Sequence, residues 1–335
     1  MATILDVAKK AGVSRSTVSR VLTNSKRVDP ETKQRILAAM KELGYKPSRA
    51  AQTLRNNKTK LIAVLVPRIS NNYYAALLQG MEREVAGHDY QVILCNTEND
   101  SKKELQYLKM LENNQVDGIV LTTFRNPNET VKKFAAFGPI ILVGEYHDGN
   151  LFFSVSVNHQ EAAYQAVEHL IKLGHKKIGM INGPKESVIS RDREKGFREA
   201  LEFYDIPVNE KWVLFDSFGI QQGKRYMKEL LNTNDYPTAV FAGNDELAVG
   251  VIQEAKKQGL EVPKDLAVVG FDDQEMATVI EPNLTTVKQP IEQLGEKAAA
   301  LIIDILQEKQ EVSKRTVLET TLLIRESCGM KENKN

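Results

Sequence analysis

Cysteine is scarce in this chain. Cys95 and Cys328 have no metal-ligand spacing, and Cys95 lies in an apolar strand-like run, so two reduced thiols and no disulfide are expected. Five histidines, at 88, 147, 159, 169 and 175, are scattered. No dinucleotide-binding, phosphate-loop, nucleophile-elbow or zinc-protease pattern occurs, so no enzyme class and no cofactor is called for. Long apolar runs are missing too. The N-terminus carries Asp6, Lys9 and Lys10 in place of a basic start followed by an apolar stretch, and the expectation is a cytoplasmic protein with neither membrane span nor secretion signal. An excess of one charge is absent as well: 45 basic against 44 acidic side chains give a net charge of +1 over 335 residues. What is present, 42% hydrophobic and 27% charged residues, is the make-up of a globular chain of two or three domains with an ample core.

The near-neutral total hides a division. The first sixty residues hold fourteen Lys and Arg and four acids, a formal +10, which leaves 31 basic and 40 acidic residues and −9 for the remainder. A basic head on an acidic body points to a polyanionic partner. The same density also fits a solvated helical surface, and the residue pattern has to decide.

Thr3 and Asp6 have capping-box spacing, and Ile4, Val7, Ala8 and Ala11 follow at helical period. Gly12 permits a left-handed turn, Ser14 is placed to cap a second helix, and Arg15 to Leu22 continues it. Ala8 is small where two crossing helices approach. On the second helix Val18, Val21 and Leu22 share one arc, and Arg15, Ser16, Ser19 and Arg20 another. A helix of this kind can lie in a major groove. Arg15, Ser16 and Arg20 are assigned to base reading, and Thr3, Ser14, Thr17 and Ser19 to phosphate and positioning contacts. An ordinary helical hairpin with a hydrophilic face would show the same arc, but its place in a +10 head favours DNA. Asp29 as N-cap, Pro30 at the first helical position, the stripe Ile36, Met40, Leu43 and the stop Gly44 complete a third helix.

With these elements in order, the segments Asp6-Val7-Ala8, Ala11-Gly12-Val13-Ser14, Thr17-Val18-Ser19-Arg20-Val21-Leu22 and Leu43-Gly44-Tyr45-Lys46-Pro47 resemble the head of the lactose-repressor/galactose-repressor family of bacterial transcription regulators, and the likeness runs through nearly the whole chain. The connector from Ser48 to Arg55 is rich in helix formers yet too short to be stable alone. The resemblance implies a hinge helix that forms in the minor groove beside its dimer mate, with Leu54 wedged between base steps. A flexible linker whose leucine packs on a neighbouring domain is the alternative. Leu5, Arg27, Tyr45, Ser48 and Ala51 complete the expected DNA-contacting set.

From Leu61 onward, apolar runs alternate with amphipathic stretches, the pattern of parallel sheets flanked by helices. Runs at 61–67, 91–96, 118–123, 139–145 and 154–158 form one series, and runs at 176–183, 212–217, 239–244 and 266–272 a second. This weak duplication indicates an α/β body of two doubly wound subdomains joined to the all-α head, and the family resemblance implies that the body is of periplasmic-binding-protein type. The expected division is a head at 1–46, a hinge at 47–60, one subdomain at 61–160 plus 290–320, the other at 161–289 plus 321–330, and a tail at 331–335. The tail has no leucine heptads, so no terminal coiled coil is expected.

Ligands of such folds sit outside the carboxyl ends of the strands. The loops there offer aromatic faces for sugars or flat bases and paired donors and acceptors for hydroxyl or ring groups. The family resemblance implies that Asn71, Tyr73, Tyr74, Arg193, Phe218, Asn244 and Asp272 line an effector site, to which Glu145 and Gln289 are added. Arg193 and Asp272 are expected to pair with each other. Tyr73 would also fit a core, Arg193 a surface ion pair, and Asp245 a helix N-cap. Arg68, Asn72, Glu145 and Asn158 depart from frequent family residues and leave the ligand open; Arg68 would answer an anionic ligand or stand solvated. The reading is a homodimeric repressor of a near-palindromic operator, controlled by a small molecule, a sugar or sugar derivative. Control by a purine or by a phosphoprotein corepressor, and a sugar-binding transport-type protein, are the alternatives.

Overall fold

The computed structural model describes residues 2–22, 27–45, 58–123, 125–146, 151–215, 217–233, 235–309 and 311–329. The hinge residues Ser48, Ala51 and Leu54 and the tail 331–335 lie outside these. The chain divides into two compact units, 1–59 and 60–335.

The first unit holds α1 (Ile4–Ala11), α2 (Arg15–Leu22) and α3 (Pro30–Glu42). Each begins at a side chain that satisfies free backbone N–H groups. Thr3 and Asp6 form a reciprocal capping box, Ser14 Oγ accepts from Thr17 N at 3.1 Å, and Asp29 accepts from Thr32 N at 2.8 Å with Pro30 following. Gly12 ends α1 at φ +65°, a conformation that costs a side chain with Cβ about 1 kcal/mol or more. The turn it allows brings α2 across α1, and Val7, Ala8, Ala11, Val18, Val21, Ile36 and Ala39 close into one small core.

The second unit is built on two six-stranded sheets. In the first, β1 (Leu61–Val66), α4 (Asn72–Ala86), β2 (Gln91–Asn96), α5 (Ser101–Glu112), β3 (Gly118–Leu121), α6 (Asn128–Phe134), β4 (Ile140–Val143) and β5 (Phe153–Val157) follow in sequence. The second contains α7 (His159–Lys172), β6 (Ile178–Ile181), α8 (Val188–Phe203), β7 (Val213–Leu214), α9 (Gly219–Leu231), β8 (Ala239–Ala242), α10 (Asp245–Lys257), β9 (Ala267–Asp272), α11 (Met276–Val279) and β10 (Thr285–Lys288). The chain then returns to the first through α12 (Ile291–Leu306) and β11 (Arg315–Leu318), and ends in the second with β12 (Thr321–Leu323).

The first sheet runs β11-β5-β4-β3-β1-β2, all parallel. The second runs β12-β10-β9-β8-β6-β7, parallel except for β12 against β10. Alternate residues of β1 serve opposite faces: Ile62, Val64 and Val66 pack with Leu77, Met81 and Ile302, and Ala63 and Leu65 with Leu108 and Leu111. The strands β10, β11 and β12 give no signal in the sequence, because each is short and interrupted by Thr, Lys or Arg, whereas the equally short β3, β4, β6 and β8 are apolar throughout. The run at 212–217 yields only Val213–Leu214, an edge strand pairing β6 alone. Helices α9 and α10 touch backbone to backbone: a Cβ on Gly250 would stand 2.1 Å from the Ile220 carbonyl oxygen. That contact fixes the two helix starts, Phe218 and Asn244, beside one another at the carboxyl edge of the sheet.

Candidate functional site

The carboxyl ends of both sheets open on one cavity of about 900 Å³. All nine body residues singled out from the sequence line it: Asn71, Tyr73, Tyr74, Glu145, Arg193, Phe218, Asn244, Asp272 and Gln289.

Its floor is a buried charge pair. Helix α8 carries Arg193, 7% exposed, over the ring of Phe271 at 3.7 Å, where it donates through Nη1 to the Gly243 carbonyl. Asp272 ends β9 at 6% exposure, and its Oδ1 lies 3.9 Å from Arg193 Nη2. That is Coulombic contact beyond hydrogen-bond reach. The carboxylate instead accepts from Gln289 Nε2 at 2.7 Å and Gln274 Nε2 at 3.3 Å. Asp272 adopts φ +111°, a strained value for a residue with a Cβ. Asp245 holds this turn by accepting from Gln274 N at 2.7 Å and Thr286 Oγ1 at 2.6 Å. Burial raises the pKa of both carboxylates, and the Arg193 charge counters it at Asp272. Burial likewise lowers that of Arg193, whose Nε has no hydrogen-bond partner among the described residues.

The first sheet supplies the opposite wall. Asn71 caps α4 by accepting from Tyr73 N at 2.9 Å, and this places Tyr73 and Tyr74 edge to face with centroids 5.2 Å apart. Burial, then the Asp272 charge, push both phenol pKa values up. Glu145 follows β4, 4% exposed, and accepts from Ser187 Oγ across the cleft at 3.0 Å. Burial lifts its pKa to about 7. Tyr146 also crosses, donating to Asp192 Oδ2 at 2.9 Å. The exposed ring of Phe218 leaves an apolar face in the cavity.

Three readings from the sequence need correction. Asp245 is not the N-cap of α10; Asn244 is, accepting from Leu247 N at 2.9 Å, while Asp245 turns inward to its buried network. Arg68, expected to stand solvated or to answer an anion, is part-exposed and forms an ion pair with Glu246 from the other side of the cleft. Arg193 is no surface ion pair. The sequence reading also missed His159, Gln274, Ser187 and Glu246, whose helix-end or surface-like positions gave no signal of the partners that the fold supplies.

In the head, Arg15, Ser16 and Arg20 are exposed on α2 opposite the buried Val18 and Val21, with Thr17 and Ser19 half-buried at the margin. Ser14 Oγ shares hydrogen bonds with Ser16 Oγ at 2.7 Å and Thr17 Oγ1 at 2.8 Å. Thr3 and Arg27 are exposed, Leu5 is exposed at 61%, and Tyr45 is half-buried against the small core. A helix-turn-helix with exposed arginines is therefore on one chain with a two-sheet ligand cleft.

Comparison with known proteins bears on this pairing. The model of bacterial regulatory proteins of the lacI family matches residues 3–48, and that of a periplasmic binding protein-like domain matches residues 167–328. The NTD biosynthesis operon regulator NtdR of Bacillus subtilis is 39% identical over 328 residues, covering 98% of this chain and 100% of that one. The chain belongs to the lacI family. Other lacI-family relatives include catabolite control protein A of Priestia megaterium, 36% identical over 90% of this chain and 91% of that one. The repressor PurR of Pectobacterium carotovorum is 38% identical, over 98% of this chain and 97% of its own. Among solved structures, the lac repressor dimer bound to operator and an anti-inducer superposes with a TM-score of 0.86 at 26% identity, over 98% of this chain and 99% of that one. The regulator CelR with cellobiose gives 0.74 at 31% identity, over 98% and 100%. As a lacI-family member the chain is a DNA-binding transcriptional regulator with a ligand-binding body, and its relatives are regulators, not enzymes. No helix among the described residues is long and apolar enough to cross a membrane.

Proposed function

We propose that this lacI-family protein is a cytoplasmic homodimeric repressor whose hold on a near-palindromic operator is set by a sugar or sugar derivative bound between the two sheets. One observation carries the choice of ligand. Arg193 and Asp272 lie side by side and buried, Arg193 Nε without a hydrogen-bond partner among the described residues, in one cavity with Tyr73 and Phe218, so that paired hydroxyls meet a donor and an acceptor while an apolar ring face meets an aromatic one. Cellobiose in the CelR structure, and ribose in a lacI-family regulator from Enterococcus faecium at 30% identity, support the class.

On this reading residues 1–46 read DNA. Arg15, Ser16 and Arg20 contact bases, and Thr3, Leu5, Ser14, Thr17, Ser19, Arg27 and Tyr45 set register. Residues 47–60 form the hinge, with Ser48, Ala51 and Leu54 at the minor groove. Residues 61–160 with 290–320, and 161–289 with 321–330, are the two effector subdomains, which change angle on binding and so favour or disfavour the hinge. The coupling is about 1–3 kcal/mol and reciprocal.

A thermal-shift panel of sugars, sugar phosphates and purines, followed by gel shift on a palindromic operator with each hit, tests both halves. A sugar that raises the melting temperature and changes operator affinity is the expected result. Stabilisation by purines alone overturns the ligand class, and no operator binding overturns the repressor.

A further inference from the structure

His159 opens α7, at the point where the chain crosses from the first sheet to the second, and is 1% exposed. Its two ring nitrogens serve the two sides of the cleft. Nε2 lies 3.3 Å from the Gly144 carbonyl, in the loop after β4, and Nδ1 lies 3.3 Å from Arg193 Nη2. A guanidinium only donates, so Nδ1 must present its lone pair, and Nε2 then carries the proton that the carbonyl accepts. The ring is neutral in one tautomer, and burial, then the Arg193 charge, keep its pKa well below the ordinary value.

Beside this hydrogen bond, Arg193 and Asp272 stop short of one between themselves. A buried arginine beside a carboxylate ordinarily closes into a bidentate pair. Here Nη1 is taken by the Gly243 carbonyl, the guanidinium face lies on Phe271, and Nη2 is turned to the imidazole, so that Asp272 stays 3.9 Å away. Gln289 and Gln274 hold the carboxylate from its other side. Donor and acceptor therefore stand adjacent without quenching each other.

We propose that His159 is a positioning residue, whose neutral Nδ1 holds Arg193 off Asp272 so that a ligand with neighbouring hydroxyls can bridge the two. The inference rests on the reading of the cleft as a sugar site, and its test keeps the two separable. In the ligand-free full chain, nitrogen NMR of labelled histidine reports the tautomer, and crystal structures and the carboxyl titration of Asp272 report the pair. His159→Gln reaches Gly144 but offers no acceptor at the Nδ1 place, whereas His159→Asn puts its amide oxygen there. The expected result is an Nε2–H tautomer in the parent. Closure of Arg193 onto Asp272, with a lowered Asp272 pKa, is expected in His159→Gln, and the parent geometry in His159→Asn, both variants folding cooperatively at a melting temperature below the parent's. A proton on Nδ1, or an Asp272 titration and spacing unmoved in His159→Gln, overturns the proposal. Calorimetry with cellobiose and with ribose is the ligand arm. Where either binds, His159→Gln should bind it about tenfold more weakly and His159→Asn within about threefold, the scale of one charged hydrogen bond; equal affinity in all three proteins overturns the proposal as well. Binding of neither sugar to the parent counts against the sugar reading, while the ligand-free measurements still decide the role of His159.

Discussion

Arg15 and Ser16 stand in solvent on a helix whose caps and core lie within residues 3–45, whereas Arg193 and Asp272 are buried and held by Gly243, His159, Gln274 and Gln289 from four separate stretches of chain. The head keeps these side chains hydrated, so they cost little in the free protein and, on the proposed reading, are available to phosphate and base edges. The body desolvates its charges, and each must then be met by a partner, because an unpaired buried charge costs several kcal/mol. An exposed reading surface tolerates replacement of one member; a buried network does not.

Five measurements test that contrast. The largest effect is expected inside the head. Val18 is fully buried in a core of few residues, and Val18→Asp should exceed the head's whole stability, so that operator binding disappears while the body's calorimetric transition stays put. A matching loss in the body would mean that the two units do not stand independently. Next, Arg193→Ala leaves Asp272 buried without its cation and should cost about 3–5 kcal/mol of body stability by denaturant unfolding; a loss under about 1 kcal/mol would show that the cleft is wetter than its burial implies.

Glu145 gives the third. Its folded pKa of about 7 stands above its ordinary 4.5, so the folded body holds a proton that the unfolded chain releases. The stabilisation is complete below about pH 4.5 and is lost as pH rises through about 7, amounting to roughly 3 kcal/mol. Melting temperature should fall less steeply with rising pH in Glu145→Gln than in the parent, the remaining fall coming from Asp245 and Asp272, whose pKa values burial also raises; identical profiles would remove Glu145 from the account. The fourth lies in the proposed hinge, where Leu54→Ala is expected to weaken specific operator binding by about 2 kcal/mol and nonspecific binding much less. Equal losses on both DNAs would refute the wedge. The smallest effect belongs to Arg68. Its guanidinium is part-exposed and paired with Glu246, so Arg68→Ala should change stability by no more than about 1 kcal/mol. A sugar phosphate bound markedly more weakly by that variant would restore the anion-binding role that the ion pair argues against.

The same contrast explains what could be read in advance. Thr3, Ser14 and Asp29 were legible as caps because a cap and its N–H partner lie three residues apart. The strand ends were legible because apolar runs stop where a parallel strand stops, and that rule, together with the family resemblance, gathered residues as distant as Asn71 and Asp272 around one cavity. It failed where the choice of partner was not local. Asp245 has the composition of an N-cap, but Gln274 N and Thr286 draw its carboxylate inward and Asn244 caps the helix instead. Arg68 looked free because Glu246 is 178 residues away. His159 looked like one scattered histidine among five, since neither Gly144 nor Arg193 adjoins it in the chain.

By itself, then, the sequence determined the helices of the head and their caps, the +10 and −9 division, the two series of strands and the end of each sheet at which a ligand would sit. These follow from periodicity, capping and composition, which act over a few residues. Only the fold sets which charges meet across the cleft, which partners face the two ring nitrogens of His159, and that Asp272 and Arg193 pair at 3.9 Å without a direct hydrogen bond. Hydrogen bonds and Coulomb forces act through space, and in a desolvated cleft they are strong enough to assign each side chain a partner that no local pattern names.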